Sequence, residues 1–187
     1  MLNEIVESQT RIHTRDIHLA TYPHTDSRVI VHGVLKDERY IKIFDITGDI
    51  VEPGVVHHMD VKLLIKPYPL TIEDAQAEMV KVPMPECADT LDTVEKLKGL
   101  EIRSGFSKII RNIMGGKKGC AHLCQLITAM SQEIVQGWLT YNRKEKSPVP
   151  KDLAFFEGKK FIVDSCRMWK ENGPKIKKLE QAIKAQQ

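Results

Sequence analysis

The apolar period of this chain changes once, near Cys87, and the change dictates the order in which its elements can form. Before it, apolar and β-branched residues stand among polar ones in short runs: Arg11 to Thr21, Arg28 to Leu35, Val55 to Ile65 and Thr71 to Val82. The last two flank a turn at Lys66-Pro67-Tyr68-Pro69. Runs of this kind, bounded by turn residues, read as strands. Beyond Cys87 the repeat lengthens to three and four. Leu91, Val94 and Leu97 fit one helix, and Phe106 to Met114 fits a second that stops at Gly115-Gly116. Ala121 to Thr140 carries Leu123, Ile127, Met130, Ile134 and Trp138 on one stripe, which predicts a long helix facing a sheet. Strands first and helices later predict an α+β fold, a mainly antiparallel sheet packed against C-terminal helices.

The 187 residues are 42% hydrophobic and 28% charged, the composition of an ordinary globular protein that needs no disulfides to close its core. The net charge of +3 is unevenly spread. Residues 141–187 hold 12 Lys and Arg against 6 Asp and Glu, so the first 140 residues are mildly acidic. Pro148 and Pro150 interrupt any helix there, which sets a boundary near residue 145 between an α+β domain (1–145) and a basic helical extension (146–187). In the extension, Asp152 to Glu171 reads as a helix stopped by Asn172-Gly173-Pro174. Lys175 to Gln186 reads as a second helix, with Ile176, Leu179 and Ile183 on one face. Its lysines form a solvated face open to a protein partner. They lack the interleaved aromatic residues of a nucleic-acid surface. No apolar run approaches the ~18–20 residues that span a bilayer, and the N-terminal Met1-Leu2-Asn3-Glu4 has no signal-peptide character. The expectation is a cytoplasmic protein without a membrane partner, its four cysteines kept as thiols or metal ligands.

Chemistry concentrates in Gly115-Gly116-Lys117-Lys118-Gly119-Cys120-Ala121-His122. Cys120 falls at the entry of the long helix, where unpaired N–H groups and two lysines favour a thiolate. His122 can turn toward the same point, and a thiolate beside an imidazole suits Zn, Fe or an iron–sulfur cluster. Cys87, between the last strand and the helices, and His57, opening a strand, complete a candidate tetrahedral set of His57, Cys87, Cys120 and His122. The adjacent His57 and His58 must point to opposite sheet faces, and either can be the inward one. Cys124 and Cys166 read as core thiols. His13 and Arg15 share a strand face and suit an anion, or else lie on a solvated face; Asp37 and Asp74 read as turn residues without a chemical role. Neither a phosphate-loop pattern nor a Gly-x-Ser-x-Gly elbow occurs.

The pattern His13-x-Arg15, Leu35-x-Asp37, His57-x-Met59, Ile72-x-Asp74-Ala75, Pro83 followed by Cys87, and Gly119-Cys120-x-His122-Leu123 resembles the bacterial family catalogued as domain of unknown function 2889. The resemblance covers residues 11–140 and implies no activity. The order of elements from His57 to Val135 is also similar to iron–sulfur scaffold proteins of the NifU and IscU type, including the Ile72-Glu73-Asp74-Ala75 turn. That likeness implies a metal or cluster site at His57, Cys87, Cys120 and His122, although the final His and Cys occur in reverse order. The reading is a metal-binding protein. A three-ligand site with an open position would make it a hydrolase-type enzyme, and Cys120 acting as a nucleophile would make it a cofactor-free one.

Overall fold

From Val29 to Asp37, every second side chain is sealed from solvent and every other one is half-exposed, which is the signature of a strand covered on one face only. The computed structural model describes residues 1–146, 148–153 and 162–186. Its main sheet has four antiparallel strands: β1 (His13–Pro23), β2 (Val29–Arg39), β5 (Gly54–Lys66) and β6 (Thr71–Lys81), in the spatial order β1-β2-β5-β6. Between β2 and β5 a small hairpin projects, β3 (Ile43–Phe44) with β4 (Ile50–Val51). The helices are α1 (Leu2–Ser8), α2 (Asp92–Glu95), α3 (Phe106–Met114), α4 (Ala121–Asn142) and α5 (Pro174–Lys184). The fold is therefore α+β, as the change of period predicts.

The core lies between one sheet face and α4. Val29, Val31 and Leu35 of β2 and Met59, Val61, Leu63 and Ile65 of β5 face Leu123, Leu126, Ile127, Met130, Ile134 and Trp138 of α4. Each such side chain contributes about 1.5–3 kcal/mol by leaving water. Two glycines set how closely helix and sheet approach. A Cβ on Gly33 of β2 would stand 2.7 Å from the Met130 sulfur, and one on Gly137 of α4 would overlap Thr21 Oγ1. Thr21 Oγ1 also donates to Glu133 Oε1 at 2.6 Å, and Arg15 Nη1 donates to Gln125 Oε1 at 2.6 Å. Helix α4 thus runs alongside β1 in the same direction. The six strand steps from Arg15 to Thr21 cover ~20 Å and the twelve helical steps from Gln125 to Gly137 cover ~18 Å, so the two elements stay in step. The helix entry at Cys120 and His122 accordingly lies over the sheet end that carries Arg15 and Asp37.

Several expectations are corrected. The helix foreseen at Leu91–Leu97 is a 3-10 turn over Pro85–Leu91 followed by the single turn of α2, because Pro85 opens it and Gly99, at φ 83°, ends it. The helix expected over Asp152–Glu171 is absent from 162–171, which form successive turns; its residues 154–161 lie outside the described ones. Asp164, at φ 61°, breaks the helical path there, and its Oδ1 accepts the Glu171 N–H at 3.0 Å. Cys166 in these turns is exposed, whereas Cys124 is buried. The chain re-enters helix at Pro174, where a missing N–H costs nothing. The periodic reading gave no sign of α1 or the β3–β4 hairpin, since α1 buries no residue and Phe44, Ile46 and Ile50 stand exposed. Among the described residues, no helix is long and apolar enough to cross a membrane.

The close approach at Gly137 is testable. Gly137→Ala gains about 1 kcal/mol of helix propensity but forces overlap with Thr21, costing ~1–3 kcal/mol. Urea unfolding should show a less stable protein, and adding Thr21→Gly, which removes the Thr21 Cβ as well as its hydroxyl and methyl, should relieve the overlap and recover part of the loss. A Gly137→Ala chain more stable than wild type would contradict the packing.

Candidate functional site

Three neighbouring strands put one polar residue each into a single cross-strand row. Arg15 of β1 is registered with Asp37 of β2, and Asp37 with His57 of β5. The next row inward, Ile17, Leu35 and Met59, is apolar. Opposed side chains on one face stand ~4.5–5.5 Å apart at Cβ, so the row brings the guanidinium, carboxylate and imidazole into contact. A register shift between Asp37 and Glu38 bends the sheet immediately beyond the row. His122, in the first turn of α4, closes over it from the helix side.

Asp37 is the centre. It is 1% exposed, a burial that a carboxylate tolerates only with every oxygen partnered. Arg15 provides a fork: Nε donates to Oδ1 and Nη2 to Oδ2, both at 2.6 Å. His57 Nδ1 lies 3.0 Å from Oδ2, and His122 Nε2 lies 3.4 Å from the same oxygen. The two imidazole rings stack with centroids 3.7 Å apart and planes inclined by 29°. On its other side, His122 Nδ1 lies 3.8 Å from Cys120 Sγ. Gln125, one turn further along α4, fixes the remaining arm of Arg15.

The electrostatics follow from these contacts. The hydrogen bonds from Arg15 hold the Asp37 carboxyl below its ordinary range, overriding the opposing effect of burial. The same bonds raise Arg15. Burial lowers His122, and electrostatic interaction with His57 and Arg15 lowers it further against the pull of Asp37. His122 is therefore neutral at pH 7, with a lone pair to offer a cation or a proton.

Asp37 Oδ2, His57 Nδ1 and His122 Nε2 converge, and the ligand atoms of this trio lie within 4.8 Å of one another. Ligands ~2.0–2.1 Å from a zinc ion at tetrahedral or right angles stand ~3.0–3.4 Å apart, which is the spacing seen between Oδ2 and the two nitrogens. The structure thus brings together His57 and His122 of the sequence-derived set, with Cys120 touching His122. Cys87, in the 3-10 turn after β6, and Cys120 stand outside the 4.8 Å group. Of the adjacent histidines, His57 is the inward one. Asp37 corrects the sequence reading: it sits inside β2 rather than in a turn. The signal was present, since the alternation Val29, Val31, Gly33, Leu35 continues onto Asp37. Arg15 also departs from expectation, because its guanidinium is committed to Asp37 rather than shared with His13 toward an anion.

The sign of the Asp37 shift makes a prediction about acid stability. A carboxyl depressed in the folded chain contributes fully above its unfolded value of about 3.9 and loses that contribution as pH falls through the folded value. Wild-type stability should therefore drop more steeply below pH 4 than that of Asp37→Asn, measured by urea unfolding across pH 2–7. Arg15→Met should cost on the order of 2 kcal/mol, below the ~3–5 of a fully buried pair because Arg15 remains one-third exposed. Parallel pH profiles for wild type and Asp37→Asn would contradict the assignment.

Comparison with curated proteins gives no match, and neither does comparison with solved structures. The similarity to NifU- and IscU-type scaffolds gains no support from them. A family model does match, over residues 13–136, a span that holds Arg15, Asp37, His57, Cys120, His122 and Gln125. The chain belongs to the family described as protein of unknown function, DUF2889.

Proposed function

We propose that this protein binds a divalent metal ion, Zn²⁺ or Fe²⁺, through Asp37, His57 and His122, and that the ion retains open positions for water or substrate. The observation that carries the reading is the convergence of His57 Nδ1 at 3.0 Å and His122 Nε2 at 3.4 Å on Asp37 Oδ2, in a trio whose ligand atoms all lie within 4.8 Å of one another. Two imidazoles and one carboxylate suit zinc or ferrous iron, whereas an iron–sulfur cluster requires thiolates, and this trio contains no sulfur. A metal held by the two facing nitrogens would leave each imidazole with its hydrogen on the far nitrogen. His122 Nδ1–H then points at Cys120 Sγ, making Cys120 a partner that orients the ligand rather than a ligand. Arg15 keeps the carboxylate ionised and fixed in orientation. Three protein ligands leave room for a bound water whose proton is easily lost, so the chemistry that fits is hydrolysis.

Loading metal-free protein with Zn²⁺ or Fe²⁺ should give one ion per chain. His57→Ala and His122→Ala should each weaken binding by more than ~100-fold, and Cys120→Ser by about tenfold, the usual effect of an outer partner. Cys87→Ser tests the four-ligand set expected from the sequence: on the three-ligand reading it binds as tightly as wild type. His122→Ala protein that keeps full metal content would overturn the proposal.

A second reading has its own observation. Cys120 Sγ, His122 and Asp37 form a chain of contacts at 3.8 and 3.4 Å, the order of a thiol nucleophile, its base and the base's anchor, at the entry of a 22-residue helix. This reading makes the protein a metal-free acyl-transfer enzyme. It requires rapid stoichiometric alkylation of Cys120 without metal, slowed in His122→Ala.

A further inference from the structure

Arg39 is the last residue of β2, two positions beyond Asp37 on the same sheet face, and is registered with His13 of β1. Its Nε–H is buried and has no hydrogen-bond acceptor among the described residues. The arginine ion pairs among the described residues belong to Arg15 and Arg28, so the Arg39 guanidinium has no carboxylate partner among them. A guanidinium does not shed its proton, and a desolvated donor on it without an acceptor costs free energy that native structures seldom leave uncompensated. An acceptor from outside the chain resolves this.

The surroundings select the charge of that acceptor. Asp37, the buried carboxylate of this face, is already neutralised by Arg15. Glu38 belongs to the opposite face, where it pairs with Lys36. Among the strand residues that β1, β2 and β5 register on this face at the sheet end, two guanidiniums, Arg15 and Arg39, thus stand against one carboxylate, Asp37. A divalent ion at the Asp37 centre would add further positive charge. A negatively charged ligand group restores the balance, and the planar fork of an arginine matches an oxyanion.

We infer that Arg39 is the seat of an oxyanion, the carboxylate or phosphate group of a small-molecule ligand, beside the Asp37–His57–His122 centre. Calling that group part of the substrate rests on the function proposed above; the anion seat itself rests on Arg39. The substrates assigned to the centre are thereby anionic, held at one end by Arg39 while the bond to be cleaved lies toward the histidine pair.

The test uses full-length, metal-free, ¹⁵N-labelled protein titrated with inorganic phosphate and, separately, with acetate at constant ionic strength. The Arg39 Nε–H resonance, assigned by its loss in Arg39→Lys, should shift and saturate with at least one of the two. Saturation by phosphate alone identifies a phosphoryl group and by acetate alone a carboxylate. In the variants, which lack that resonance, binding is read from the backbone amides flanking position 39, first calibrated on wild type: Arg39→Gln should abolish saturable shifts there, and Arg39→Lys, which keeps the charge without the fork, should weaken binding at least tenfold. If Arg39→Gln does not fold, as judged from its amide spectrum, Arg39→Lys decides. A wild-type response that is linear for both ions, or equal affinity in the variants, overturns the inference. Such a failure leaves metal binding untouched, and failed metal loading leaves the anion titration standing.

Discussion

A buried carboxylate held by an arginine organises this protein. Asp37 occupies a core-facing position at the end of β2, where an ordinary sheet would carry an apolar side chain, and Arg15 makes that placement tolerable through two short hydrogen bonds. The pair demands a particular strand register. A slip of one residue between β1 and β2 would send either group to the other face and leave the partner desolvated and alone. The same register fixes His57 opposite Asp37, and Gln125 ties Arg15 to α4, so the helix entry bearing Cys120 and His122 comes to rest over the row. One polar row thus sets the alignment of three strands and a helix.

The electrostatic character of the site differs from that of the chain around it. The first 140 residues are mildly acidic, yet at this sheet end the Asp37 carboxylate is matched by one guanidinium, and a second stands nearby with no carboxylate partner among the described residues. His122 is kept neutral by burial and by its neighbours His57 and Arg15. The arrangement combines an ionised, rigid carboxylate with an imidazole free to act as a Lewis base. Both metal ligation and proton transfer need these properties, which is why two reaction classes share one geometry.

Much of the fold was legible in the sequence, because sheet and helix periods are written in the residues that face the core. The four long strands, α3 and α4 follow from that pattern, and so does the placing of Cys120 and His122 at a helix entry. What the pattern could not supply was pairing. His57 and His58 are equivalent until β2 and β5 align, and Asp37 reads as a turn residue unless the alternation from Val29 is carried past Leu35. Arg15 looked free because its partner lies 22 residues away in sequence. The extension was least legible: local side-chain-to-backbone bonds, such as that of Asp164, govern 162–171, and they leave no periodic trace. The apolar face expected for its last helix does hold, with Ile176 and Ile183 buried.

X-ray absorption at the zinc edge of the metal-loaded protein tests the central claim most directly, because it counts ligand types without requiring a known reaction. The account predicts a shell of nitrogen and oxygen at ~2.0–2.1 Å, built from Asp37, His57, His122 and solvent, with no sulfur. A sulfur shell at ~2.3 Å would contradict it and move the centre toward Cys120 and Cys87.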